Sequence, residues 1–411
     1  MCMPFGCLLL FACLIALTPV SEVVARGFAG TYESDRVVWA TPGGRNEVRN
    51  LSSRVCETKR AASPTSRESS QAGFQPMPVN PEPGAAVKFT RLSVKDPGAH
   101  NIEAVSLLIP AGWKAEGGVQ WLPDHLILAN LLLRITDPQT GSAIEFLPGQ
   151  YFGWPPMGPH QPQGGNYMGS ILWPPVQDAP EFIRTFYASG FLGRLQGARV
   201  VQTEDFPKVA AELAQFHGGQ STARCSRVRY EYQGDGREWE EDVYVTLVCT
   251  PAMQRIGWSG TAHSFRARRG QLDRLTPIMN TATSTLRQSP EWFGYYLYVR
   301  KLFLDRMARG IRNAGILSEA IARNSEEIRR MSEDSYRRAS QSQDRISRSY
   351  SEYIRGVETY RNPYEDRPIQ LPMGYDGVWV NRSGEYLLSN QSGFNPNVGS
   401  NIEWRRMERS P

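Results

Sequence analysis

Residues 225–249 read CSRVRYEYQGDGREWEEDVYVTLVC, two β-rich runs on either side of Gly234-Asp235-Gly236. Val, Tyr and Trp favour a pleated surface, and a Gly-Asp-Gly step between such runs predicts a hairpin. Pairing about residue 237 sets Tyr230 opposite Tyr244 and Cys225 opposite Cys249, a cross-strand disulfide. The turn itself centres on Asp235, so that register needs a longer loop or a bulge. The alternative is two small buried thiols, since Cys packs like a modest hydrophobe.

The same texture extends upstream. AVKFTRL (86–92) and IEAVSLLIP (102–110) read as strands, and GWKAEGGVQW (112–121) as a glycine-punctuated turn with a further aromatic-ended segment. LILANLLLRITDPQTGSAIEFLP (126–148) is strand, turn at Asp137–Gly141, strand: an antiparallel meander. Between meander and hairpin stand two helical signals. DAPEFIRTFYASGFL (178–192) has Asp178 as N-cap and Pro180 in the first turn, and FPKVAAELAQFHGG (206–219) stops at paired glycines. Downstream, residues 253–268 continue as a strand, and LDRLTPIMNTATSTLRQSP (272–290) predicts a helix disturbed by Pro277.

SLLIPAGWKAEGGVQW, followed by ITDPQTGSAIEFLPG and closed by STLRQSPEW, resembles uncharacterised exported bacterial proteins with a P-x-GW-x-x-x-GG opening. Those are in turn similar to the PsbP-like α+β sandwich. The resemblance covers residues 86–292 and rests on Gly112-Trp113 and Gly117-Gly118. It implies a sheet flanked by helices and a role in docking to partners, and it carries no catalytic residues. The insertion from Tyr151 to Pro175 departs from a minimal domain of this kind.

From residue 291 to 365 apolar residues recur at spacings of four and seven, which predicts a helical arm. Between Arg300 and Arg361 there are 14 basic and 9 acidic residues, an excess equal to the net +5 of the whole chain. Such an arm is either a surface for acidic polymers or self-association, or a solvated hairpin with its arginines facing water. A mild overall excess of 46 basic over 41 acidic residues demands no nucleic acid.

At the N-terminus, FGCLLLFACLIALTPV (5–20) followed by SEVVA predicts a signal peptide over 1–25. Residues 26–85 lack period and are rich in Ser, Arg, Gly and Pro, a disordered linker. No later stretch approaches the ~20 apolar residues of a membrane-spanning helix. The expected address is therefore secreted or periplasmic.

Two aromatic groups are candidate binding residues. QYFGWPPMGPHQPQGGNYMGSILWPP (150–175) repeats Trp-Pro-Pro and offers Tyr151, Trp154, Tyr167 and Trp173. Stiff Pro-rich loops lose little entropy on binding, and long irregular loops in compact domains are often functional. The plainer reading is a lid whose tryptophans bury against the sheet. LPMGYDGVWVNRSGEYLLS (371–389) with Trp404 offers Tyr375, Trp379 and Tyr386. Its order is similar to a WW domain, in which Tyr386 and Trp404 would grip Pro-rich ligands. Here the first aromatic is Tyr375 rather than Trp, the approach to Trp404 is long, and Arg405 and Arg406 replace the closing proline, so a terminal hairpin unit is expected.

The five histidines lie in no HExxH or Cys-x-x-Cys context, and no nucleophile elbow or phosphate loop is present, so neither metal nor cofactor is expected. The resulting expectation is α+β: an antiparallel sheet flanked by helices (86–290), a basic helical arm (291–365) and a small C-terminal β unit (366–411). Its function reads as non-enzymatic binding or scaffolding at the cell envelope, with a protein or envelope polymer as partner. A hydrolase acting on envelope polymers and a protein self-assembling through the arm are the alternatives.

Overall fold

The computed structural model describes residues 85–123, 125, 127–155, 162–217, 220–252, 255–309, 336–337, 356–365 and 368–410. The expected signal peptide, all of the linker but Ala85, and most of the expected helical arm lie outside them. The chain enters on β1 (Ala86–Asp96) and β2 (Ile102–Pro110), then β3 (Lys114–Trp121), β4 (Ala129–Thr136), β5 (Ala143–Phe146) and β6 (Gln150–Trp154). Short strands β7 (Asn166–Tyr167) and β8 (Ser170–Leu172) precede α1 (Ala179–Phe182), which runs into a π-helical turn (Ile183–Tyr187). Next come β9 (Arg199–Asp205), α2 (Pro207–Phe216), β10 (Thr222–Gly234), β11 (Arg237–Ala252), β12 (Arg255–Arg268), α3 (Leu272–Thr285), β13 (Arg287–Gln288) and α4 (Pro290–Arg309). The last part holds β14 (Val357–Arg361), β15 (Pro368–Pro372), β16 (Gly377–Asn381), β17 (Tyr386–Ser389), β18 (Trp404–Arg406) and β19 (Glu408–Arg409).

The β10–β11 hairpin lies within a ten-stranded sheet ordered β3-β4-β5-β12-β11-β10-β9, with β6 on β12 and β8, β7 along one margin. Every pairing is antiparallel except β6 with β8. The hairpin turns tightly at Asp235 (φ 51°) and Gly236 (φ 68°), both left-handed, the geometry that matches the twist of the flanking strands. That turn fixes the register. Cys225 faces Thr246 and Cys249 faces Thr222. The two cysteines stand on opposite faces of the sheet, one in the core beneath it and one against the core above, and no bond joins them. The expected disulfide is therefore corrected. Burial pushes the Cys225 thiol up to about 12, so it remains protonated.

Alternation along β11 separates the cores. Val243, Val245 and Leu247 point to one face with Phe182, Ile183 and Tyr187, while Tyr244 points to the other. The larger core gathers Val105, Leu107 and Ile109 of β2, Leu131 and Leu133 of β4, Phe265 of β12, and Trp292 and Tyr296 of α4. Each such side chain contributes about 1.5–3 kcal/mol by leaving water. A third core joins Phe89 and Leu108 to Tyr360, Leu371, Val380 and Leu388.

The expected fold class is overturned. Nineteen strands stand against four α-helices among the described residues, and α1 is four residues long. Helices form at 179–182, 207–216 and 272–285, but strands at 199–205, 357–361 and 404–409 turn the balance to β. The molecule is β-rich, not a helix-flanked sandwich. Among the described residues α4 is no free arm: Trp292, Phe293 and Tyr296 are fully buried. Nor is the C-terminal hairpin a separate unit. β17 pairs with β1 (Ala86↔Ser389 to Phe89↔Tyr386) and completes a six-stranded sheet ordered β13-β2-β1-β17-β16-β18.

One buried carboxylate ties three elements. Asp96 Oδ2 accepts from the indole N–H of Trp121 at 2.8 Å and of Trp292 at 2.5 Å, while Oδ1 accepts from the Gly98 amide. No helix among the described residues is long and apolar enough to cross a membrane.

Candidate functional site

The C-terminal strands build a cleft. β18 hydrogen-bonds to β16 (Trp379↔Arg406), and three residues later β19 pairs with β14 (Tyr360↔Arg409). The chain thus crosses from the six-stranded sheet to the three-stranded sheet β15-β14-β19 within 404–409. At the crossing Met407 donates its amide to Val378 O and buries its side chain. Beside it opens a cleft of about 380 Å³ lined by Tyr360, Tyr375, Asp376, Val378, Arg406, Met407 and Arg409.

Two guanidinium groups are held at the cleft by backbone carbonyls. Arg406 donates to Asp376 O at 2.9 Å and Arg409 to Tyr375 O at 3.3 Å. Arg409 is also paired with Glu358 at 3.1 Å, whereas Arg406 has no carboxylate partner among the described residues. The carbonyl anchor orients Arg406 without neutralising it, so its donors remain for an incoming acid, while Arg409 is already partly met by Glu358. The floor is aromatic. Burial pushes the Tyr360 phenol up to about 12, and its hydroxyl donates to Glu358 at 2.7 Å. Burial likewise raises Tyr375, against the opposing pull of Arg274. Both phenols stay neutral at physiological pH.

Of the sequence candidates, Tyr375 alone lines this cleft. Trp379, Tyr386 and Trp404 are buried supports: Trp379 meets Phe394 edge-on at 5.4 Å, the Tyr386 hydroxyl accepts from the Asn362 side-chain amide at 2.8 Å, and the Trp404 amide donates to Asn397 Oδ1. The Pro-rich group lies on the other sheet. Trp173 packs edge-on to Phe186 at 5.5 Å, and its carbonyl accepts from the Trp258 indole at 2.7 Å. Trp154 ends β6 and is half-buried, and Tyr151 packs toward the larger core. Tyr167 sits in β7. Residues 156–161 of that loop lie outside the described residues. The two aromatic groups are not brought together. Tyr360, Arg406 and Arg409 were not among the sequence candidates, although in WRRMER (404–409) only Trp404 and Met407 are buried and the residues between and after them are exposed.

Converging carboxylates do occur elsewhere. Glu145 and Glu241 both bind Arg194, at 2.7 and 2.6 Å, and Tyr232 donates to Glu241 at 2.9 Å. Glu145 also meets Arg134 at 3.1 Å. Across the sheet Asp242 is likewise bound by Arg229 at 2.7 Å. Among the described residues no three His, Cys, Asp or Glu converge as a metal site.

No family model and no curated protein matches the chain. Among solved structures, a protein of Bacteroides thetaiotaomicron VPI-5482, determined at 1.50 Å resolution, is similar over 69% of this chain and 88% of that one. The two are 11% identical with a TM-score of 0.20, a likeness that carries no argument.

Proposed function

We propose that the chain is an exported, non-enzymatic binding protein of the cell envelope whose C-terminal cleft takes a carboxylate-bearing segment of a protein or polymer. The apolar run at 5–20 supports export, leading to a secreted or periplasmic address. The observation that carries the binding role is the pair Arg406 and Arg409, anchored by carbonyls above Tyr360 and Tyr375. Arginine forks recognise carboxylates by charge-assisted hydrogen bonds, and a tyrosine floor adds contact area at little entropy cost.

The test is fluorescence anisotropy with a fluorescein-labelled Glu-rich peptide, titrated with the full chain at two salt concentrations. The wild type is expected to bind more weakly at high salt, and Arg406→Ala/Arg409→Ala to weaken binding by about tenfold or more. Equal affinity of the two proteins would remove the cleft as the site.

A further inference from the structure

Arg300 lies in α4 with only 4% of its surface exposed, and among the described residues no carboxylate pairs with it. Its buried Nε–H has no acceptor among the described residues. One helical turn earlier on the same face stands Tyr296, fully buried, whose hydroxyl also lacks an acceptor. The Leu128 amide approaches the Tyr296 oxygen as a donor, which leaves the hydroxyl hydrogen unspent. The groups that act electrostatically on Arg300 are the phenols of Tyr296 and Tyr151, and burial lowers its pKa from the ordinary value. The half-buried Arg194 and Arg229 are treated differently: each carries two carboxylates.

A buried cation without an anion is costly, and buried donors without acceptors add to that cost. Water supplies acceptors but no charge. We propose that the inner face of α4 holds a binding site for a small oxyanion, a carboxylate or phosphate group, gripped by the Arg300 guanidinium and the Tyr296 hydroxyl with Tyr151 alongside. This site is separate from the C-terminal cleft and shares no residue with it.

The experiment is thermal unfolding of the full chain at fixed ionic strength, with chloride replaced stepwise by phosphate in one arm and by acetate in the other. An anion that binds only the folded state raises the melting temperature with concentration. The expected result is a saturating rise in at least one arm, which also identifies the preferred group. Arg300→Met is expected to shift half-saturation by about tenfold or abolish the rise. Tyr296→Phe removes only a hydroxyl, and it should shift half-saturation severalfold even where the arginine variant does not fold. Identical melting of the wild type in chloride, phosphate and acetate would overturn the proposal, as would an unchanged response of Tyr296→Phe.

Discussion

Asp96 shows how much one residue can hold. Its carboxylate receives two indole N–H groups from Trp121 and Trp292 and lies fully buried where β1, β3 and α4 meet. Asp96→Ala strands two buried donors, each worth about 1–3 kcal/mol, so urea unfolding should show a loss of about 2–5 kcal/mol. A loss below 1 kcal/mol would mean that water takes over both donors. His263 makes a second residue-level prediction. It stacks on Tyr244 at 4.8 Å, and burial lowers its pKa to about 3. The folded value lies below the unfolded one, so between about pH 6.5 and 3 the unfolded chain binds a proton that the folded chain refuses. Its stabilising contribution is complete above pH 6.5 and falls by about 1.4 kcal/mol per pH unit as acid is added. His217, lowered to about 4 by burial, acts in the same direction. Urea midpoints for His263→Gln between pH 7 and 4.5 should fall less steeply than wild type, and parallel slopes would contradict the assignment.

Elements were legible where turn chemistry is local. The Asp235-Gly236 hairpin, the Asp137–Gly141 turn and the Asp178 cap all reside in a few adjacent residues. Register was less legible: the two-residue turn displaces Cys225 from Cys249, because it is the backbone geometry at positions 235 and 236, and not symmetry of the side chains, that sets pairing. Arg300 illustrates the opposite failure. Its spacing suits a solvated arm, but the aromatic residues preceding it draw that part of α4 into the core. Close packing between elements yields a further prediction. Gly260 in β12 accepts the ring of Phe182 from the α1 segment directly over its Cα, and a Cβ there would collide with that ring. Gly260→Ala should cost about 1–3 kcal/mol through displacement of the ring that packs edge-on against the stacked Phe152–Trp258 pair. Unchanged stability would show that the aromatic cluster repacks freely.

At the scale of the molecule, the two ends of the described chain share one sheet. β17 is hydrogen-bonded to β1 across almost the whole described sequence, a pairing that no local pattern could announce. The cleft inherits that remoteness. Its lining draws on four strands in two sheets, β14 (Tyr360), β16 (Val378), β18 (Arg406) and β19 (Arg409), with Tyr375, Asp376 and Met407 beside them, and of these aromatic candidates only Tyr375 carried a sequence signal. Trp379, Tyr386 and Trp404 turned out to be the support, while the cleft's arginines come from WRRMER (404–409), where the sequence reading saw only a departure from the WW pattern. The measurement that tests this most directly is hydrogen–deuterium exchange of the full chain with and without the Glu-rich peptide. The account predicts slowed exchange at 357–361, 375–379 and 404–409, with residues 151–154 and 170–173 unchanged. Protection confined to the Trp154 and Trp173 strands, with the C-terminal cleft unaffected, would contradict it.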